Sequence, residues 1–107
     1  MPTTDDLAAR QAVAALDRLL AGAPALAASL PLGFGDRVQV YVAHLLAANR
    51  QLNLTRVTDP GEVARLHLLD SLAALPIIDA EAPDLIIDLG SGGGLPAIPL
   101  ALARPGI

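Results

Sequence analysis

Asp88-Leu89-Gly90-Ser91-Gly92-Gly93-Gly94-Leu95-Pro96 sets an acidic residue and a run of glycines between two apolar stretches. Such a string suits recognition by backbone: glycine takes φ > 0 at no steric cost and leaves room for a ligand to approach the main chain. With a strand before it and a helix after it, the loop describes a site for a nucleotide-like ligand. Two ligand classes compete. Gly92-Gly93-Gly94-Leu95-Pro96-Ala97 matches the GxGxxA pattern of dinucleotide folds, which seat a pyrophosphate on a helix N-terminus. Pro96 and Pro99, however, remove backbone N–H groups from that region, and Asp88 adds negative charge. S-adenosylmethionine fits better, because its ammonium and sulfonium are cationic and Asp88 can face the former. The plain alternative is a tight βα turn with no ligand.

The second constellation is His67-Leu68-Leu69-Asp70-Ser71-Leu72. On an α-helix His67, Asp70 and Ser71 stand at i, i+3 and i+4 and share a face. A catalytic trio is one reading, but neighbours on one helix rarely have nucleophile–base geometry. The favoured reading is hydrogen bonding to nearby backbone that locks the helical region onto the nucleotide-binding fold. Asn53-Leu54-Thr55 reads as a helix-terminating turn. Arg50, Arg56 and Arg65 gather around it as a sparse, solvated face that could meet phosphate. His44 reads as structural. With two histidines on different helices and no cysteine, no metal site is expected.

These residues need elements to hold them. Asp5 or Asp6 can cap a first helix, with Ala9, Val13, Leu16 and Leu20 along one face and Gly22 near its end. Residues 23–35 form a Pro/Gly-punctuated connector with room for one short helical turn. Asp36 opens a second helix on which Val38, Tyr41, Val42, Leu45, Leu46 and Asn49 follow the i, i+3, i+4, i+7 pattern. Asp59-Pro60-Gly61-Glu62 starts a third, with Asp59 capping and Glu62 at the capping-box position. That helix runs through Val63, Leu66, Leu69 and Leu72 to Pro76. Residues 85–89 are apolar on both faces, as in a central parallel strand. A last helix spans about 95–104 and stops at Pro105-Gly106.

The order α-α-α-β-loop-α predicts an α/β protein. A helical region over 1–80 is followed at 81–107 by the first βα unit of a Rossmann-like fold, which is expected to be incomplete. A single strand cannot satisfy its backbone or cover both faces without neighbours. The 107-residue chain alone is therefore expected to be inactive, and to bind a ligand at the glycine loop weakly or not at all.

Composition narrows the classes further. The net charge is −4 and aromatics are 2%, so neither a chain-wide basic footprint nor a base-stacking platform for nucleic acid is present. The absence of cysteine excludes disulfides and thiolate chemistry. The N-terminus is acidic where a signal peptide would be basic, and the uncharged run 19–35 is broken by Pro24 and Pro31. A soluble, cytoplasmic protein is expected.

Taken in order and at their separations, Asn53-Leu54-Thr55, Asp59, His67-Leu68-Leu69-Asp70-Ser71-Leu72 and the string from Asp88 to Ala101 resemble the ribosomal RNA small-subunit methyltransferase G family, also called the glucose-inhibited division protein B family. The resemblance covers about residues 38–106. It implies a Rossmann-like fold and S-adenosylmethionine-dependent methylation of a guanine N7 in 16S rRNA, of the guanine(527)-N(7) type. The implied partner is 16S rRNA or a small-subunit assembly particle, with neither membrane nor metal. By the same resemblance Gly90 and Leu95 touch the cofactor, while Asp88, Ser91, Gly92 and Gly94 line the loop. Asn53, Thr55, His67, Asp70 and Ser71 are structural or substrate-side. Ala97 stands where the family usually has glycine, Ala48 where tryptophan is frequent, and Leu66 where arginine is common. Arg65 lies one position earlier, turned about 100° around an α-helix. Guanine N7 carries a free lone pair, so its methylation needs orientation and base exposure rather than a strong general base, and no catalytic residue is assigned. Two other readings are a dinucleotide-binding oxidoreductase fragment and a non-catalytic helical interaction module.

Overall fold

In a computed structural model of the protein, which describes residues 1–107, every regular element is helical. Helix α1, Thr4–Leu20, buries Ala9, Ala12, Ala15, Leu16 and Leu20. Its cap is Thr3 rather than Asp5 or Asp6. The Thr3 hydroxyl accepts the Asp6 N–H at 3.0 Å, and Asp6 Oδ2 accepts the Thr3 N–H at 2.8 Å. This reciprocal pair satisfies two donors that a helix start otherwise leaves open. Asp5 instead accepts from Arg50 at 2.8 Å, tying α1 to the end of α3. Helix α2, Pro24–Ser29, is the short turn foreseen in the connector.

Helix α3, Phe34–Leu52, begins two residues before Asp36, from Gly33 in the left-handed region (φ +82°). Its apolar stripe is as the spacing predicts: Val38, Val42, Leu45 and Leu46 are buried and Tyr41 is half-buried. Asp59 caps the next helical rod, accepting the Glu62 N–H at 3.1 Å. This rod comprises α4, Pro60–Glu62, a π-helical segment, Val63–Leu69, and α5, Asp70–Leu72.

The π segment corrects the expected register. Its turns close by i→i+5 bonds, so the core-facing stripe recurs at four to five residues rather than three. Val63, Ala64, Leu68 and Leu72 are therefore buried, whereas Leu66 is 41% exposed and Leu69 only partly covered. Pro76 does not end this rod. After a turn at Ala73 and Ala74 it lies in the first turn of a new helix, α6, Leu75–Glu81, where a missing N–H costs nothing. Helix α7, Ala97–Ala103, completes the set.

Residues 85–89 form no strand, and the fold of these residues is all-α rather than α/β. Leu85, Ile87 and Leu89 are 72%, 73% and 89% exposed, and Ile86 is 40% exposed. The physical reason is that a strand exists only as part of a ladder, and no other segment here offers one. The expected βα unit is thus a non-helical apolar segment followed by a helix. Leu100 and Ala103 of α7 join the same core as Leu16, Val38, Leu68 and Leu72, so α7 packs on the helical body. No helix is long and apolar enough to cross a membrane.

Arg104 clamps the end of α7. It donates to both carboxylate oxygens of Asp79 on α6 at 2.8 Å, and to the carbonyl and hydroxyl of Ser29 on α2 at 3.1 Å. The Arg104 hydrogen bonds hold the Asp79 carboxyl below its ordinary 3.8. A carboxyl depressed in the folded state contributes stability above its unfolded value and loses it as pH falls through the folded one. Wild type is therefore expected to lose Tm on acidification below pH 3.8 more steeply than Asp79→Asn. The two melting curves should be furthest apart near neutrality and converge in acid. A gap in Tm that persists unchanged at low pH would show that the ion pair contributes nothing.

Candidate glycine-loop site

The loop between residue 88 and α7 uses its glycines in two ways. Gly90 and Gly92 have φ of +72° and +55°, and a Cβ on either would meet no atom of the chain within 4 Å. Their need for glycine is conformational, and they leave the backbone open to solvent. Gly93 is a glycine for packing, since a Cβ there would stand 2.9 Å from Leu45 Cδ1, and Gly94 is one on both counts: its φ is +91° and a Cβ would run into the Ile98 side chain. The Ser91 carbonyl closes the turn, accepting the Gly94 N–H at 3.0 Å and the Leu95 N–H at 3.3 Å. The Gly94 carbonyl then accepts the Ile98 N–H at 2.7 Å and leads into α7.

What the loop leaves unused matters as much. The N–H groups of Gly90, Ser91, Gly92 and Gly93 donate to nothing within the chain. Asp88 Oδ2 is buried and accepts no hydrogen bond. A buried, unpartnered carboxylate oxygen is costly in a folded chain and signals a cation or donor that completes it. Asp88 also lines a cavity of about 480 Å³ with Ile86, Leu89, Pro96, Leu100 and Arg104. Asp88 thus offers a carboxylate to an apolar cavity, and the loop that follows it in sequence carries a row of free N–H donors outside that cavity's lining. That combination suits a small zwitterion with an apolar or aromatic extension.

His67, Asp70 and Ser71 do not assemble. Ser71 is buried and donates to the His67 carbonyl at 2.6 Å, while Asp70 is exposed and makes no hydrogen bond. His67 turns to Thr55 instead, with Nε2 and Oγ1 2.8 Å apart. Thr55 Oγ1 also accepts the Val57 N–H at 3.0 Å, and the Thr55 N–H donates to Asn49 Oδ1 at 2.7 Å. This network ties α3, the turn after it and the π segment together. It holds the helical body to itself rather than to the glycine loop. Asn53 is exposed at the left-handed C-cap of α3 (φ +50°). His44 is exposed on α3. Of the three arginines near the turn, Arg50 is paired with Asp5 and Arg65 with Glu62, at 2.8 and 2.7 Å. Nowhere do three His, Asp or Glu side chains converge.

One contact to the loop was missed in sequence: the Tyr41 hydroxyl donates to the Gly93 carbonyl at 2.8 Å, across 52 residues of chain. The available signal was a lone phenol in an otherwise apolar stripe, since a buried tyrosine needs an acceptor.

The sequence profile of the family described as rRNA small subunit methyltransferase G matches residues 36–107. Among curated proteins, a ribosomal RNA small subunit methyltransferase G of Alkalilimnicola ehrlichii is 46% identical over 92 residues, covering 86% of this chain and 40% of that protein. Its counterpart in an Anaeromyxobacter species is 52% identical over 71 residues, 66% of this chain and 32% of the relative. One from Sorangium cellulosum is 48% identical over 90 residues, 83% of this chain and 36% of the relative. The chain spans 40% or less of the length of these three relatives. No solved structure matches it.

Proposed function

The chain belongs to the rRNA small subunit methyltransferase G family, and from that premise we propose that it supplies the helical scaffold and cofactor loop of an S-adenosylmethionine-dependent enzyme methylating a guanine N7 in 16S rRNA. The observation that carries the cofactor reading is the unpartnered Asp88 Oδ2, followed in the chain by four loop N–H groups without an acceptor. Asp88 would accept from an ammonium, and the N–H groups of Gly90, Ser91, Gly92 and Gly93 would take a carboxylate. Those are the two ends of the amino-acid moiety of S-adenosylmethionine, and a dinucleotide has no ammonium for Asp88. Gly94 shapes the turn, and Leu95 follows it as an apolar flank. When bound, the cofactor supplies an electrophilic methyl group. This chain's part is to hold and orient it, because guanine N7 offers its lone pair without deprotonation.

The rRNA substrate, whether free 16S rRNA or an assembling small subunit in the cytoplasm, comes from the family. The net charge is −4, and Arg50 and Arg65 are each paired with a carboxylate. The Rossmann-like reading of residues 81–107 is part of the same proposal, with residues 85–89 becoming a strand beside neighbours that these 107 residues do not supply. Grafted in place of the matching segment of a full-length relative, the chain is expected to support transfer of a labelled methyl group to unmodified 16S rRNA. The label should appear at a guanine N7, and the ungrafted 107-residue chain should transfer none. A folded chimera that binds S-adenosylmethionine and labels no RNA would refute the substrate assignment.

A further inference from the structure

Between residues 85–96 and helices α1 to α6 there is a single hydrogen bond, from the Tyr41 hydroxyl to the Gly93 carbonyl at 2.8 Å. The contact beneath it is equally close. A Cβ added to Gly93 would lie 2.9 Å from Leu45 Cδ1 and 3.6 Å from Leu54 Cβ, so the loop backbone rests on α3 itself. Tyr41 and Leu45 are i and i+4 and present one face of that helix. The Gly93–Gly94 peptide is therefore held from both sides: its carbonyl by Tyr41, its N–H by the Ser91 carbonyl at 3.0 Å. Rotating this peptide would open the Ser91 turn and re-aim the free N–H groups just before it.

We infer that Tyr41 is a positioning residue for the glycine loop, its hydroxyl setting the Gly93–Gly94 peptide so that the N–H groups of residues 90–93 converge on the ligand. The inference rests on the cofactor reading of the loop. It makes α3 the platform of the cofactor site, acting through one peptide group and without touching the ligand. Burial pushes the Tyr41 phenol up to about 12, which agrees with a hydroxyl that keeps its proton and donates. Tyr41 is the only tyrosine and there is no tryptophan, so its ionisation is read directly from the absorbance of the intact chain.

The test uses the isotope-labelled 107-residue chain and its Tyr41→Phe variant. Losing one hydrogen bond is expected to speed amide exchange at Gly94 and Leu95 about tenfold, while core amides such as Leu16 and Val42 stay within about twofold. The Kd for S-adenosylmethionine, read on the full-length chimera with and without Tyr41→Phe, is expected to rise about tenfold. Equal loop exchange in both proteins overturns the inference. Faster loop exchange together with a folded full-length chimera that ignores S-adenosylmethionine leaves Tyr41 holding the loop and removes the cofactor reading instead. The wild-type phenol gives a check that no variant can spoil. Burial against the loop is expected to raise its titration above the ordinary 10.0, and an unraised titration would mean that the phenol is not buried there, overturning the inference.

Discussion

Leu68→Ala is expected to destabilise the protein by about 3 kcal/mol, whereas Leu66→Ala, two positions earlier, should cost under about 1 kcal/mol. Leu68 is 1% exposed in the core with Leu16, Val38 and Leu72, and truncating it leaves a cavity that rigid neighbours only partly close. Leu66 is 41% exposed and has little burial to lose. A domain of this size has roughly 5–15 kcal/mol of stability in all, so the first change should lower Tm by roughly 10–20 °C. An unbroken α-helix carrying Val63, Leu66, Leu69 and Leu72 inward would give the opposite order. Thermal melts of the two variants therefore decide between the registers. If Leu66→Ala proves the more damaging, residues 63–69 run as an unbroken α-helix.

That contrast marks how far the sequence could be read. The faces of α1 and α3 were legible because a long, regular stripe over-determines the phase of a helix. The Asp59 cap was legible because a cap is local chemistry, but the expected capping box does not close: the Glu62 carboxylate pairs with Arg65 instead. The π register within 63–69 was not legible, because Val63, Ala64 and Leu68 are buried by tertiary packing in a core shared with other helices, and no local propensity records that. Pro76 has the sequence position of a stop but is a start, since proline fits the first turn of a helix as well as it ends the last. Residues 85–89 have strand composition, but composition cannot supply the ladder partners on which a strand depends. The open backbone of the glycine loop was visible in its residues. Its attachment to Tyr41 was not, because 52 positions separate the two groups. His67 likewise found Thr55 across a turn instead of its helical neighbours.

The glycine loop offers the second large effect. Gly94→Ala is expected to cost about 2–3 kcal/mol, against about 1 kcal/mol for Gly90→Ala. Both residues sit at positive φ, +91° and +72°, so each substitution carries the left-handed penalty of a Cβ. Only at Gly94 does the new methyl also meet a neighbour, the Ile98 side chain, whereas at Gly90 nothing lies within 4 Å. Ile98 is β-branched and on a helix, so it has few alternative rotamers into which it can withdraw. Adding Ile98→Ala to Gly94→Ala should recover about 1 kcal/mol, because Ile98 is 39% exposed and gives up little burial itself. Equal Tm losses for the two single variants would mean that Ile98 moves aside freely. Under the proposed cofactor reading, the order inverts for ligand affinity. The Cβ at Gly90 obstructs nothing in the chain, so what it can obstruct is a ligand approaching the main chain beside Asp88. Gly90→Ala should therefore weaken S-adenosylmethionine binding well beyond its effect on stability, a separation that a purely structural turn would not show.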